Sequence, residues 1–260
     1  MSQVVEVEAL GRTRVLTIHR PEVRNALTLE VVGALTRAFE AMAIDGDVRC
    51  VALTGAGGHF CSGADLRRLL QGDAAFSEQL EATLDAFHGL VKSIVRCPKP
   101  TIAVLDGAAV GFGADLAFAC DLRVASTRAY VQESFVKIGL MPDGGGTFWL
   151  PRLVGTARAM QMTLLAEPMK APELERLGVV ARVVDTDRLR ATALEMACAI
   201  ESGPPLAFAA IKRALYASLG PIEDALRRER EEQLKLLGSA DFTEGASAWA
   251  EKRDPVFRGA

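Results

Sequence analysis

Residues 101–121 constrain the fold more than any other part of the chain. Their sequence, TIAVLDGAAVGFGADLAFACD, is typical of a buried strand, a glycine-rich turn and an apolar helix. A helix that begins at the end of a buried strand presents free backbone N–H groups and a partial positive charge. Such a helix start can hold an anion, or a carbonyl oxygen that becomes an anion during a reaction. Asp115 lies in its first turn, where it either complements the helix dipole or takes part in chemistry.

The composition fits one large domain with a sizeable core. The chain has 260 residues, 50% of them hydrophobic, and a net charge of −3. This charge provides no basic surface for nucleic acid, and the first residues show no signal-peptide pattern. Asp106 and Asp115 argue against a membrane span in the apolar stretch. The cysteines form no CxxC pair and the histidines no ligand pattern, so we expect no metal site and a cytoplasmic location.

The hydrophobic pattern predicts strands that alternate with helices, and hence an α/β fold with a largely parallel sheet. The predicted strands are residues 4–9, 14–19, 50–54, 101–105, 122–125 and 177–184. The predicted helices are residues 29–44, 64–70, 76–95, 112–120, 147 onward, 189–200, 205–218, 221–237 and 241–252. The pattern becomes almost wholly helical toward the end, so we divide the chain into a core of residues 1–200 and a helical region of residues 201–260.

Three glycine-bearing turns are expected to meet on one rim of the sheet. They are residues 59–65 (HFCSGAD), 109–115 (AVGFGAD) and 142–146 (PDGGG). In open α/β sheets the ligand crevice lies at the carboxyl ends of the strands, where these turns fall. Two backbone N–H donors that converge there would form an oxyanion hole, next to the carboxyl groups of Asp115 and Asp143.

Four ordered segments resemble the crotonase family, also called the enoyl-CoA hydratase/isomerase superfamily. They are RPEVRNAL at 20–27, FCSGADL at 60–66, VGFGADLAFACDLRVAS at 110–126 and KIGLMPDGGGTFWLPRLVG at 137–155. The resemblance implies a crotonase-like ββα superhelix core and a C-terminal helical trimerisation region. It also implies an acyl-CoA thioester as substrate, no further cofactor, and a homotrimer or a dimer of trimers.

The resemblance implies an oxyanion hole made by the backbone N–H groups of Ala64 and Phe112. Phe112 stands where the family usually has glycine, and the backbone donor survives that change. The first of the two hydratase glutamates falls on Asp115, and the second falls on Phe135, which cannot transfer a proton. Glu133 is two residues away, and we interpret it as structural or as part of the pocket rim.

Asp143 is the predicted catalytic base. In the isomerase and dehalogenase branches of the family an aspartate at this position faces the substrate, and the surrounding segment most resembles epoxyphenylacetyl-CoA isomerases. We expect burial to raise the pKa of Asp143. The alternative is a turn residue, because aspartate before glycine is a frequent turn pair. Cys61 is interpreted as a packing residue and His59 as a rim or surface residue.

The resemblance also implies residues that bind substrate and coenzyme A. They are Arg24, Ala26, Leu27, Asp65, Leu66, Phe135, Lys252 and Phe257. The basic members of this group could equally be solvated surface charges.

The function predicted is that of an enoyl-CoA isomerase, which shifts a double bond or rearranges an activated ring through an enolate. One alternative is an enoyl-CoA hydratase that uses Asp115 and water. Another is a non-catalytic acyl-CoA-binding member of the fold, which the missing second glutamate would permit.

Overall fold

A six-stranded sheet forms the centre of the molecule in a computed structural model that describes residues 4–65, 76–217, 239–251 and 253–260. Its strands, in spatial order, are β1 (Val5–Leu10), β2 (Thr13–Ile18), β3 (Cys50–Gly55), β4 (Thr101–Leu105), β6 (Leu122–Ser126) and β9 (Arg182–Val184). The β1–β2 hairpin is antiparallel, and every other pair in this sheet is parallel. The predicted hairpin and the largely parallel sheet are confirmed.

A second, three-stranded sheet lies outside the prediction. It contains β5 (Ala108–Val110), β7 (Tyr130–Gln132) and β8 (Met169–Lys170). The β5–β7 pair is parallel and the β7–β8 pair is antiparallel. The prediction of a glycine-rich turn between the strand at 101–105 and the following helix was therefore incomplete, because three-residue strands are too short to show a clear alternation of side chains.

The described helices largely follow the predicted pattern. They are α1 (Leu29–Ile44), α2 (Phe76–Arg96), α3 (Phe112–Ala119), α4 (Gly146–Leu165), α5 (Ala171–Arg176), α6 (Thr186–Glu201), α7 (Pro205–Ala217) and α8 (Ala240–Glu251). Thr28 caps α1 by accepting a hydrogen bond from the Val31 N–H. The helix predicted at 221–237 and most of the one at 64–70 lie outside the described residues. No helix in the described part is both long and apolar enough to cross a membrane.

The predicted final strand was too long. Only Arg182–Val184 forms a strand, because Gly178 adopts a left-handed φ of 75° and turns the chain after α5. Val179 and Val180 are buried in this turn, and their amides donate to the Leu174 carbonyl. An apolar run can thus be buried without being a strand.

The two faces of the six-stranded sheet support separate cores. Side chains alternate along a strand, so Leu105 lies in the main core together with Phe112, while Ile102 and Val104 face the other side. There they pack against Leu189 and other residues of α6. The three predicted turns belong to the side of the main core.

Short backbone contacts join these turns to one another. Leu27 pairs with Ala64, and Cys61 pairs with Ala109, each as an isolated parallel bridge. The Gly111 N–H donates to the Gln132 carbonyl at 2.8 Å. The turns predicted on one rim are therefore adjacent in the fold.

Candidate active site

The turn before Ala64 packs directly on the beginning of α3. Gly63 has a φ of 90°, and a Cβ at this position would lie 2.8 Å from the Val110 carbonyl oxygen and 3.3 Å from the Phe112 nitrogen. Only glycine permits this approach. Among the hydrogen bonds of the described residues, the N–H groups of Ala64 and Phe112 have no backbone acceptor. Two free donors thus belong to backbone segments that touch each other.

The Phe112 side chain is part of the core and does not occupy the space in front of its own N–H. The ring is 3% exposed and meets the Phe87 ring edge to face, with centroids 4.7 Å apart. The residue type at this position therefore contributes packing, whereas the backbone contributes the donor.

Asn25 fixes the loop that precedes Ala26 and Leu27. It is fully buried with a left-handed φ of 58°, and its side-chain amide donates to the carbonyls of Ala56 at 2.9 Å and His59 at 2.7 Å. Sequence reasoning missed this role. The available signal was the asparagine itself, which tolerates the left-handed region better than most residues.

Four of the residues predicted to bind coenzyme A come together in two adjacent turns. Ala26 and Leu27 are buried, Arg24 is exposed, and the Leu27 carbonyl accepts the Asp65 N–H at 2.9 Å. The Asp65 carboxylate forms an ion pair of 3.0 Å with Arg20, which the prediction did not include.

The other residues predicted to bind coenzyme A either lie outside the described residues or have no described contact with these two turns. Leu66 and Lys252 are outside the described residues. Phe257 is half-buried and packs near Gly245 of α8, where a Cβ would lie 3.3 Å from the ring. No described hydrogen bond or ring contact joins Phe257 to the loop of Ala26.

Asp115 is fully buried in the first turn of α3. Its Oδ2 accepts the Gly144 N–H at 2.8 Å, whereas Oδ1 has no hydrogen-bond partner of normal geometry among the described residues. Burial raises the pKa of Asp115 to about 7 against the effect of the Gly144 bond, and the nearby charge of Asp143 raises it further. The carboxyl group is placed beside the third turn and away from solvent.

Glu133 lies beside Asp115, and of its two interpretations, structural or pocket rim, its burial agrees with the structural one and not with the rim. It is 1% exposed, and neither carboxylate oxygen has a hydrogen-bond partner in the described part of the chain. Burial, followed by the charges of Asp115 and Asp143, raises its pKa to about 9. Glu133 directly follows β7 and shares the inward side with Val131, because strand residues alternate. Recognition of β7 would have revealed this orientation.

Phe135, two residues later, is also near the start of α3. It begins a short 3-10 helix (Phe135–Ile138), is 8% exposed, and its ring lies 3.9 Å from where a Gly111 Cβ would be. The predicted position of an apolar side chain in place of a second glutamate is compatible with this burial.

The glycine triplet allows the third turn to pack against both buried acids. A Cβ at Gly144 would lie 2.6 Å from the Asp115 Cβ. A Cβ at Gly146 would lie 2.5 Å from Asp115 Oδ1 and 3.3 Å from Glu133 Oε1. Any side chain at these two positions would displace a carboxyl group, which explains why glycine occupies them.

Asp143 is the third carboxyl group and differs from the other two in being only half-buried. His88 of α2 donates from Nε2 to the Asp143 backbone carbonyl at 2.9 Å and so holds the turn. Burial raises the pKa of Asp143, as predicted, and the charge of His88 opposes that rise. The sequence did not identify His88, whose contact spans 55 residues.

The remaining candidates are structural. Cys61 is buried, and burial raises the pKa of its thiol to about 12, so it remains a thiol and packs, as interpreted. His59 is partly buried, and its Nδ1 accepts the Ala108 N–H at 3.3 Å. In the described residues, no three histidine, cysteine or acidic side chains are arranged to hold a metal ion.

Comparisons with known proteins agree over almost the whole chain. The sequence model of the family described as enoyl-CoA hydratase/isomerase matches residues 12–260. A probable enoyl-CoA hydratase of Rhodobacter capsulatus is 44% identical over 252 residues, which cover 94% of each chain. The 1,2-epoxyphenylacetyl-CoA isomerase of Escherichia coli is 36% identical over 246 residues, with 94% of each chain covered.

Solved structures show the same correspondence in three dimensions. An enoyl-CoA hydratase from Bacillus anthracis has a TM-score of 0.94 at 29% identity, covering 99% of this chain and all of that one. An enoyl-CoA hydratase from a Polaromonas species has a TM-score of 0.92 at 35% identity, covering 97% of this chain and 99% of that one.

Proposed function

Because this chain belongs to the enoyl-CoA hydratase/isomerase family, we propose that it shifts a double bond in an acyl-CoA thioester, with Asp143 as the base. One observation carries the choice of isomerisation. Of the three neighbouring carboxyl groups, Asp143 alone keeps part of its surface exposed, whereas Asp115 is 0% and Glu133 is 1% exposed. Among the three, Asp143 is therefore the carboxyl group that we expect to meet the substrate.

In the proposed reaction the base takes one proton from the substrate and returns it to a different carbon. The Asp143 carboxylate removes a proton from the α-carbon of a 3-enoyl thioester, and the electron pair moves onto the thioester oxygen as an enolate. The resulting carboxylic acid then delivers the same proton to the γ-carbon. The carbonyl re-forms and the double bond lies between the α- and β-carbons, so that no atom is gained or lost.

The enolate oxygen would lie between the N–H groups of Ala64 and Phe112. Both donors are fixed in the backbone and lack a backbone acceptor in the described residues, so they need little rearrangement as charge develops. The raised pKa of Asp143 makes its carboxylate a stronger base than an exposed aspartate.

The turns that contain Arg24, Ala26, Leu27 and Asp65 form the proposed coenzyme A site. They adjoin Ala64 through the Leu27–Ala64 bridge, so a thioester bound along them would bring its carbonyl toward the two donors. Homotrimers or dimers of trimers stay a prediction from the family.

The first test replaces Asp143 with asparagine. We expect at least about a 100-fold loss of kcat for converting 3-enoyl-CoA into 2-enoyl-CoA, because no group takes the proton. Exchange of α-hydrogen with deuterated water should fall equally, while binding of a saturated acyl-CoA should change little.

The matched control is Asp187→Asn, an exposed aspartate on α6 at the other face of the sheet. It should keep wild-type kcat. An Asp143→Asn enzyme with wild-type isomerisation would exclude Asp143 as the base.

A second function, hydration, is favoured by the proximity of Asp115 and Glu133 around Gly146. Two carboxyl groups with raised pKa values could hold and polarise a water molecule. Loss of the conjugated thioester absorbance of crotonyl-CoA measures this activity. Rapid hydration that Asp115→Asn abolishes and Asp143→Asn spares would replace isomerisation as the function, and tight binding without either reaction would indicate a non-catalytic protein.

A further inference from the structure

Asp115 and Glu133 are enclosed on the same side of the glycine triplet. Gly146 lies between them, since a Cβ there would be within 3.3 Å of an oxygen from each. Three of their four carboxyl oxygens have no hydrogen-bond partner within the described residues, namely Asp115 Oδ1, Glu133 Oε1 and Glu133 Oε2. Buried polar atoms are normally paired, so this arrangement requires an explanation.

We propose that Asp115 and Glu133 share one proton, that Glu133 is the protonated member, and that the pair holds the turn of Asp143 in its working position. Glu133 is thus a positioning residue, since it acts on Asp143 through Asp115 and the Gly144 N–H. The inference rests on the proposed function only for its effect on turnover.

Charge explains why the pair must hold a proton. Two adjacent carboxylates without solvent would repel each other strongly, whereas one acid and one carboxylate can form a charge-assisted hydrogen bond. No described Lys or Arg forms a hydrogen bond or an ion pair with either group.

The asymmetry of the surroundings decides which member is protonated. Asp115 accepts the Gly144 N–H at 2.8 Å, and that bond favours its ionised form. Glu133 has no such donor, and its pKa is the higher of the two. With Glu133 neutral, the single negative charge of the pair stays on Asp115, where the Gly144 N–H stabilises it.

The pair reaches Asp143 through the backbone. An ionised Asp115 retains the Gly144 N–H, which immediately follows Asp143, while His88 holds the Asp143 carbonyl from the opposite element. Two charged or titratable groups therefore bear on the pair. Asp143 of the third turn faces it directly, and His88 of α2 acts on it by way of its contact with Asp143.

The first experiment detects the proton itself. At pH 8, between the two pKa values, infrared spectra of the whole protein should contain the carbonyl band of a protonated carboxylic acid. The band should disappear in Glu133→Gln and persist in Glu167→Gln, which changes an exposed glutamate. Absence of the band from the wild type, or its persistence in Glu133→Gln, would overturn the pair.

The second experiment uses stability. The pKa of Glu133 is higher in the folded than in the unfolded chain, so its contribution to stability is complete below the ordinary value of 4.5 and is lost progressively as pH rises from there to about 9. The free energy of unfolding of the wild type should fall over that range, and Glu133→Gln should reduce the fall. Identical pH dependence in both proteins would contradict the inference.

The third experiment measures positioning. Glu133→Met removes the donor and should lower kcat about tenfold at pH 8, the effect of about one hydrogen bond. Glu133→Gln keeps a neutral donor, so it should recover most of that loss and abolish the decline of kcat above pH 9. If Glu133→Met matches the wild type, the positioning role is wrong.

The two proposals can fail separately. An infrared band lost in Glu133→Gln, in a protein that isomerises no thioester, would support the pair and reject the function. A band that persists in Glu133→Gln, in an enzyme that Asp143→Asn inactivates, would support the function and reject the pair.

Discussion

The two ends of α3 place an aspartate in very different surroundings. Asp115 lies in the first turn and Asp121 follows the last, six residues later. Asp121 is bonded through both oxygens, whereas Asp115 has a single hydrogen bond of normal geometry. One short helix is therefore flanked by an aspartate whose carboxylate oxygens are both hydrogen-bonded, Asp121, and carries one that is only partly hydrogen-bonded, Asp115.

At the C-terminal end of α3, several donors bind the Asp121 carboxylate. Asp121 accepts the Thr101 N–H at 2.8 Å, the Lys212 ammonium at 2.7 Å and the Tyr216 hydroxyl at 3.0 Å. The Arg123 guanidinium donates to the Cys120 carbonyl at 2.6 Å, where a cation also suits the helix dipole. These hydrogen bonds anchor the C-terminal end of the helix.

The amino end has the opposite character. Phe112 leaves its N–H without a backbone acceptor in the described residues, and Asp115 leaves one oxygen unpartnered. The side-chain hydrogen bonds around α3 are therefore concentrated at its C-terminal end. The difference indicates that the helix is anchored at one end so that the other can remain reactive.

The largest effect is expected from breaking the anchor. Lys212→Met would leave the Asp121 charge without its cation, and we expect a loss of about 3–5 kcal/mol in the free energy of unfolding. Urea unfolding measures it. Lys92→Met, which changes an exposed lysine of α2, should be nearly neutral. Equal losses in the two variants would show that the carboxyl end is not the anchor.

The next effect concerns the free N–H at the amino end. Phe112→Pro and Phe112→Ala both remove the ring, but only proline removes the donor, and proline is tolerated at the first helical position. We expect kcat of the proline variant to be about 100-fold below that of the alanine variant. Steady-state isomerase assays compare them, and equal kcat values would exclude this N–H from catalysis.

The smallest effect tests the close packing around Asp115. Gly144→Ala would bring a methyl group within 2.6 Å of the Asp115 Cβ, and we expect about 1–3 kcal/mol of destabilisation. Gly46→Ala meets no atom within 4 Å and should not destabilise the protein. Thermal unfolding of both variants measures the difference, which should vanish if the third turn can move away from Asp115.

Local patterns were sufficient to predict much of the fold. The β1–β2 hairpin, the Thr28 cap and the boundaries of α1 and α3 follow from alternation, capping and helical spacing within a few residues. The meeting of the three turns could also be predicted, since parallel strands end on one edge.

The parts that could not be predicted depend on distant partners. The Lys212 contact with Asp121 spans 91 residues, and the His88 contact with Asp143 spans 55. The orientation of Glu133 was left open because β7 is only three residues long, so the register that turns this side chain inward was not visible. The resemblance identified the residues of the site, but burial and hydrogen bonding separate the three acids.

The second core, behind the sheet, has a consequence for the evolution of this enzyme. Ala193 and Ala197 of α6 pack there against strand residues that face away from the three acids. New substrate preferences arise from pocket substitutions that usually lower stability. Because no described residue belongs to both cores, substitutions that improve the packing of the rear layer can compensate for those losses while the reactive face keeps its geometry.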